Sequence, residues 1–92
     1  MAHTIRERHK LMNRVRRIRG QINGIEKLLA EDSDCGVVLQ TLAACRGAIN
    51  GLMAEILEDH IRFHVVDPDI DPESDQAEAA EQLVDLVRSY LK

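Results

Sequence analysis

Tryptophan is missing from this 92-residue chain, and Phe63 and Tyr90 are its only aromatic side chains. A single domain of that length has little with which to fill a core, so association between copies is the expected remedy. Long apolar runs are also missing: none approaches the roughly 20 residues that cross a bilayer, which predicts a soluble protein with no membrane partner. The opening Met-Ala-His-Thr-Ile-Arg has no apolar core of the kind a secretory signal carries. A cytoplasmic location is therefore expected, with reduced cysteines. Those cysteines are few. Cys35 and Cys45 stand ten apart, a spacing that matches no single-chain zinc knuckle, so any metal site must recruit histidine or another subunit.

What is present is 45% hydrophobic residues, which excludes a disordered chain, and a strongly uneven charge. The net charge is −4, yet residues 1–30 hold eight Lys and Arg against two acids, while residues 31–92 hold four against fourteen. A basic first segment beside an acidic remainder can meet a polyanion while the rest stays soluble.

The apolar rhythm is helical throughout, with no strand pattern and no internal repeat, and it predicts one all-α domain over residues 1–92. Thr4-Ile5-Arg6-Glu7 has the form of a capping box, so helix 1 is expected to begin near Ile5. Leu11, Val15, Ile18, Ile22, Ile25 and Leu29 repeat at steps of four and three as a coiled-coil-like seam, and the helix should end near Ala30. Asp32-Ser33-Asp34 supplies caps for helix 2, whose seam of Cys35, Val38, Leu42, Cys45, Ile49, Leu52 and Ile56 reaches towards His64. Pro68 should break the chain, and Asp71-Pro72-Glu73 has the form of a cap followed by proline at the first position of helix 3. Helix 3 is expected to run to about Leu91 along Leu83, Leu86, Val87, Tyr90 and Leu91. Gly20 with Gly24 and Gly47 with Gly51 each sit four apart inside helices. Each costs about 1 kcal/mol against alanine, which points to close helix approach at one face; the plainer reading is tolerated surface glycine.

Three residues on helix 2 carry metal-binding chemistry. His60 and His64 are four apart, so an α-helix presents both imidazoles on one face, where they can grip one ion. By itself such a pair is equally a solvated one at a helix end. Cys35 lies in the first turn, where unpaired N–H groups favour an anionic ligand atom. It is 25 residues from His60, roughly 37 Å along a helix, so one protomer cannot bring the two together. A second copy packed antiparallel would. If Met1 is removed, the amine of Ala2, the next amide nitrogen and the imidazole of His3 can chelate together, a set that suits nickel, cobalt or copper(II). Calcium and magnesium, which take oxygen ligands, do not fit. Cys45, between Leu42 and Ile49 in mid-seam, reads as a buried structural cysteine.

On helix 1, Lys10, Arg14 and Arg17 fall on one stripe beside the seam, with Arg16 and Arg19 close by. Duplicated by symmetry they form a broad positive surface suited to phosphate contacts. No second short helix of helix-turn-helix form follows, so base readout by a standard recognition helix is not expected.

The stretches Arg14-Val15-Arg16-Arg17-Ile18-Arg19-Gly20-Gln21 and Ala44-Cys45-Arg46-Gly47-Ala48-Ile49-Asn50-Gly51-Leu52-Met53, with Cys35, His60 and His64, resemble the CsoR/RcnR family of small all-helical bacterial repressors over the whole chain. The resemblance implies a three-helix protomer, an antiparallel four-helix-bundle dimer assembling into a disc-shaped tetramer, and a sensing site between subunits. It also implies that the helix 1 faces bind operator DNA and that ligand binding releases an efflux or detoxification operon. Arg14, Arg17 and Arg46 match positions implicated in DNA binding. His3, Cys35, His60 and His64 look like the nickel- and cobalt-sensing branch, in which the N-terminal amine also coordinates; zinc or copper would be accepted in vitro. Formaldehyde sensors of the family share Cys35 and His60 but commonly carry proline after the initiator methionine and lack histidine at 64, so Ala2 and His64 depart from that pattern. An aldehyde bridging Cys35 and the N-terminal amine is the alternative. Two rivals from other classes are a small helical dimeric enzyme acting on an anionic metabolite, which uses the arginines and leaves Cys35, His60 and His64 idle, and a metal store, which needs no DNA affinity.

Overall fold

The computed structural model describes residues 8–65, 69 and 71–91, the side chain of His64 excepted. The expected capping box at Thr4–Glu7, the helix start at Ile5, the break at Pro68 and the donors Ala2 and His3 lie outside these residues. Within them the fold is all-α: α1 (Arg8–Ala30), α2 (Cys35–His60), a five-residue π-helical continuation (Ile61–Val65) and α3 (Asp75–Tyr90). α1 packs along α2, and α3 folds back on α2 and the π segment.

Asp32-Ser33-Asp34 serves two helices. Asp32 has φ 53°, and the bonds Asp32 N to Leu29 O at 3.3 Å and Ser33 N to Leu28 O at 3.0 Å close α1 in a Schellman turn. Asp34 then caps α2, its carboxylate accepting from Gly36 N at 3.0 Å. A turn this short makes α1 and α2 an antiparallel hairpin. The start of α3 differs from the expected one. Asp71 closes an Asx turn, accepting from Glu73 N at 3.0 Å, and the helix begins only after Ser74, whose hydroxyl accepts from Ala77 N at 3.2 Å. Pro72 thus sits in the turn and not at the first helical position. α2 also ends in α geometry at His60, four residues short of the expected His64, although the chain stays helical to Val65.

Each seam is divided in two. In α1, Leu11, Ile18 and Ile25 turn inward while Val15, Ile22 and Leu29 stay exposed; in α2, Val38, Cys45 and Leu52 turn inward while Leu42, Ile49 and Ile56 do not. In α3, Val84, Val87 and Leu91 face the hairpin, whereas Leu83, Leu86 and Tyr90 point outward. In α1 and α2 successive members of each half are seven residues apart, so the hairpin covers one edge of each stripe and leaves the other edge exposed in the protomer. Only Ile18, Cys45, Ala54, Ile61 and Val84 are buried among the described hydrophobic residues, and no large side chain is fully enclosed. The protomer measures 56 × 25 × 13 Å with a radius of gyration of 17.4 Å, against about 12 Å for a compact chain of this length. The described residues thus form an extended protomer with a small core.

Cys35–Phe63 reaches a mean hydropathy of 1.3 and is long and apolar enough to cross a membrane by length and composition. Short runs conceal this, because single polar residues such as Gln40, Arg46 and Asn50 break each run while the many aliphatic residues between them keep the average high. The glycines also differ from expectation: a Cβ at Gly20, Gly24 or Gly47 would meet nothing within 4 Å in the protomer, and only Gly51 faces a neighbour across the hairpin, Arg14 Nη2 at 2.9 Å from the position of a Cβ.

Candidate metal centre and nucleic-acid interface

Cys35 is the first residue of α2 and His60 the last, so the single-chain separation argued from the sequence is built into the fold. Both are exposed. Among the described residues no three His, Cys, Asp or Glu side chains converge in a way that would hold a metal. His64 lies in the π segment, beyond the α geometry on which its same-face pairing with His60 rests, and its side chain is outside the described residues.

The outer face of α2 shows how the two ends can meet. Cys35, Leu39, Leu42, Arg46, Ile49, Met53, Ile56 and His60 follow one another at alternating steps of four and three, and every one of them is exposed. They therefore form one heptad stripe along the helix. The stripe is palindromic. About a two-fold axis between Gly47 and Ala48, an antiparallel copy sets Cys35 against His60, Leu39 against Ile56, Leu42 against Met53 and Arg46 against Ile49. Two apolar pairs and the central Arg46–Ile49 pair would then lie between sulfur and nitrogen donors at both ends. A thiolate with imidazoles is a donor set for nickel, cobalt, copper or zinc. Cys45 is buried on the other side of α2, as its seam position predicts.

The basic face of α1 is engaged by a residue that sequence reasoning passed over. Glu55 of α2 accepts from Arg14 Nη1 on Oε2, and its Oε1 lies 3.5 Å from Lys10 Nζ. The Glu55 side chain is only 16% exposed, and Gly51, one turn earlier, leaves room for the Arg14 guanidinium to cross the helix. Arg16 donates to Asn13 Oδ1 at 3.1 Å on the same helix. Arg17 and Arg19 are exposed and have no ion pair among the described residues. A recess of about 170 Å³ lined by Arg14, Arg17, Ile18 and Ala48 lies between the helices. Arg46 is exposed on α2, apart from the α1 stripe. Glu55 was hidden in the sequence because its charge was counted with the acidic remainder. Hairpin arithmetic about the turn at residues 31–34 places it opposite Lys10, with Gly51 opposite Arg14 one turn away.

Two further ion pairs fix α3. Arg62 grips Glu81 as a fork, at 2.8 and 3.1 Å, and Arg88 Nε donates to Glu58 Oε1 at 2.9 Å. The hydrogen bond from Arg88 holds the Glu58 carboxyl below its ordinary range, against the opposing effect of burial.

The protomer is all-α, with a divided apolar seam, a cationic first helix and sulfur and nitrogen donors at the two ends of its central helix. The sequence profile of the metal-sensitive transcriptional repressor family matches residues 7–89, and the chain belongs to that family. It is 41% identical over 95 residues to the transcriptional repressor RcnR of Salmonella paratyphi B (strain ATCC BAA-1250 / SPB7), covering all of both proteins. It is also 47% identical over 92 residues, again in full, to an uncharacterised protein encoded in the bioA 5′ region of Serratia marcescens. Among solved structures it is similar to a variant of the formaldehyde-responsive regulator FrmR from Salmonella enterica serovar Typhimurium in which one glutamate is replaced by histidine, with a TM-score of 0.65 and 38% identity over 92% of this chain and 94% of that one. The family is one of transcriptional repressors, and the enzymatic reading of the arginines is set aside.

Proposed function

We propose that this chain is a cytoplasmic repressor that senses nickel or cobalt at a site between subunits and releases operator DNA when the site is filled, derepressing an efflux operon. The palindromic stripe of α2 carries the reading, because it opposes Cys35 to His60 only when a second copy is present. Cys35 of one chain, His60 and His64 of the other, and the amine of Ala2 with His3 would hold the ion, which supplies a fixed coordination geometry joining elements that are separate without it. Zinc and copper would bind the same donors in vitro. The same stripe, with Val15, Ile22 and Leu29 of α1, would form the dimer core, and dimers would assemble further into a disc-shaped tetramer. This assignment also accounts for the apolar character of Cys35–Phe63 without a membrane, and no other protein partner is required.

Operator DNA would lie along Lys10, Arg14, Arg16, Arg17 and Arg19 of α1, contacting phosphates. Arg46, exposed on α2, would join them. Release by tenfold requires coupling of about 1.4 kcal/mol, within the range usual for allosteric proteins. The exposure of Cys35 and the similarity to a formaldehyde-responsive regulator favour one second reading: formaldehyde condenses with the Cys35 thiol and the N-terminal amine, losing water and leaving a methylene bridge.

Fluorescence anisotropy on a duplex from the gene's own upstream region, titrated with nickel, cobalt, zinc, copper(I) and formaldehyde, separates the two. Release by nickel or cobalt that disappears in Cys35→Ala and His64→Ala is the expected result. Full metal-dependent release in Cys35→Ala would overturn the site, and release by formaldehyde alone would move the chain to the aldehyde reading.

A further inference from the structure

We propose that Glu55 is an internal competitor of the DNA phosphate for Arg14 and Lys10, and so sets how tightly the ligand-free protein holds DNA. The inference rests on the reading that α1 meets DNA. Glu55 uses both carboxylate oxygens, one for each cation, as a phosphate would use two of its own. It is mostly shielded from water, at 16% exposure, while Arg14 is 33% and Lys10 66% exposed. The carboxylate is thus the fixed partner and the two cations are the mobile ones. Gly51 is part of the arrangement, since a side chain there would occupy the path of the Arg14 guanidinium.

Arg17 beside it has no such partner among the described residues and shares a recess with Arg14. A phosphate entering that recess meets one available guanidinium and one already neutralised. To gain the second it must displace Glu55, whose charge then stays nearby and repels it. The effect falls on the phosphate backbone and carries no base information. Glu55 would therefore lower affinity for specific and non-specific DNA alike, and it would flatten the salt dependence by withholding phosphate contacts, each of which adds about 0.9 to the slope of log K against log salt.

The test compares full-length wild type, Glu55→Gln and Arg14→Ala by anisotropy on the upstream duplex and on a shuffled duplex of equal length, across a series of salt concentrations. Glu55→Gln should bind both duplexes about tenfold more tightly, with a salt slope steeper by roughly one to two. Unchanged or weaker binding by Glu55→Gln, with Arg14→Ala impaired, would overturn the competition and leave Glu55 as a brace that positions Arg14. A double variant, Glu55→Gln with Arg14→Ala, that binds as tightly as Glu55→Gln would instead remove the premise that the freed Arg14 meets DNA. Should Glu55→Gln not fold, Glu55→Asp keeps the charge but withdraws it by one methylene. A several-fold gain in affinity supports the proposal and no gain overturns it.

Discussion

The palindromic register of α2 can be broken and repaired by charge. Leu42 is 45% and Met53 46% exposed in the protomer, and in the proposed two-fold arrangement each would face the other's copy. Complete burial of such a side chain contributes about 1.5–3 kcal/mol, so covering the exposed near-half contributes about 1 kcal/mol each. Leu42→Glu removes two leucines from a symmetric interface, a loss of about 2 kcal/mol. It also sets two carboxylates against two methionines, at a further cost of about 1 kcal/mol or more each. The sum, about 4 kcal/mol, weakens dimerisation by roughly a thousandfold.

Adding Met53→Lys opposes each new glutamate with a lysine from the other chain. Each pair removes the cost of an unpaired carboxylate, about 1 kcal/mol, and returns about 0.2–1 kcal/mol, while the loss of two methionines costs about 2 kcal/mol, so the double variant should regain several-fold to about tenfold. Pairing Leu42→Glu with Ile49→Lys puts the lysine four residues away, about 6 Å out of register, and should regain little. Sedimentation equilibrium over a concentration series measures all three constants. A Leu42→Glu protein that associates like wild type would refute the assignment of this face. Rescue by Ile49→Lys in preference to Met53→Lys would keep the face and refute the register.

Gly51→Ala should raise the melting temperature by several degrees, since alanine is favoured by about 1 kcal/mol inside a helix and the atom it meets is the flexible end of Arg14. A fall of similar size in thermal unfolding at fixed protein concentration would show that Arg14 cannot move aside. Glu58, whose carboxyl is held low by Arg88, stabilises the fold fully above its ordinary range near 4.5, and the contribution fades as pH falls through the lowered folded-state value. Glu58→Gln should therefore be less stable than wild type at pH 7, with the deficit shrinking as pH falls below 4.5; a deficit that does not change over that fall would mean the amide disturbs packing.

Much of the architecture was open to inspection in the chain. The end of α1 at Ala30, the cap at Asp34 and the placing of Cys35 and His60 at opposite ends of α2 follow from local chemistry, namely side chains that satisfy terminal N–H groups and a stripe that stops. Three features were not open. Asp71-Pro72 satisfies the rules for both a helix start and an Asx turn, and only Ser74, with acids following it, decides between them. The π segment depends on a change in hydrogen-bond partner that no residue type announces. The division of each seam could not be read because a heptad pattern says which residues are apolar and not which chain covers them. His3 and Ala2 lie outside the described residues, so their part in the candidate site rests on sequence chemistry and family resemblance.

The divided seam also bears on how a sensor of this kind would couple its two sites. Cys35, Glu55 and His60 belong to one unbroken α-helix, and Glu55 stands five residues before His60, about 7.5 Å along the axis. A change in the way two α2 helices cross moves His60 and Glu55 as one body, because a packed helix does not stretch over that distance. On the proposed reading, a ligand that draws His60 towards the partner's Cys35 shifts the carboxylate that holds Arg14 and Lys10, and the π segment directly after His60 is where the backbone can absorb the displacement. The signal then needs no long chain of intermediates. If Glu55→Gln tightened DNA binding but left the fold-release by metal unchanged, Glu55 would set affinity alone and the coupling would have to pass through the N-terminal arm. A smaller release in that variant would place the coupling on α2.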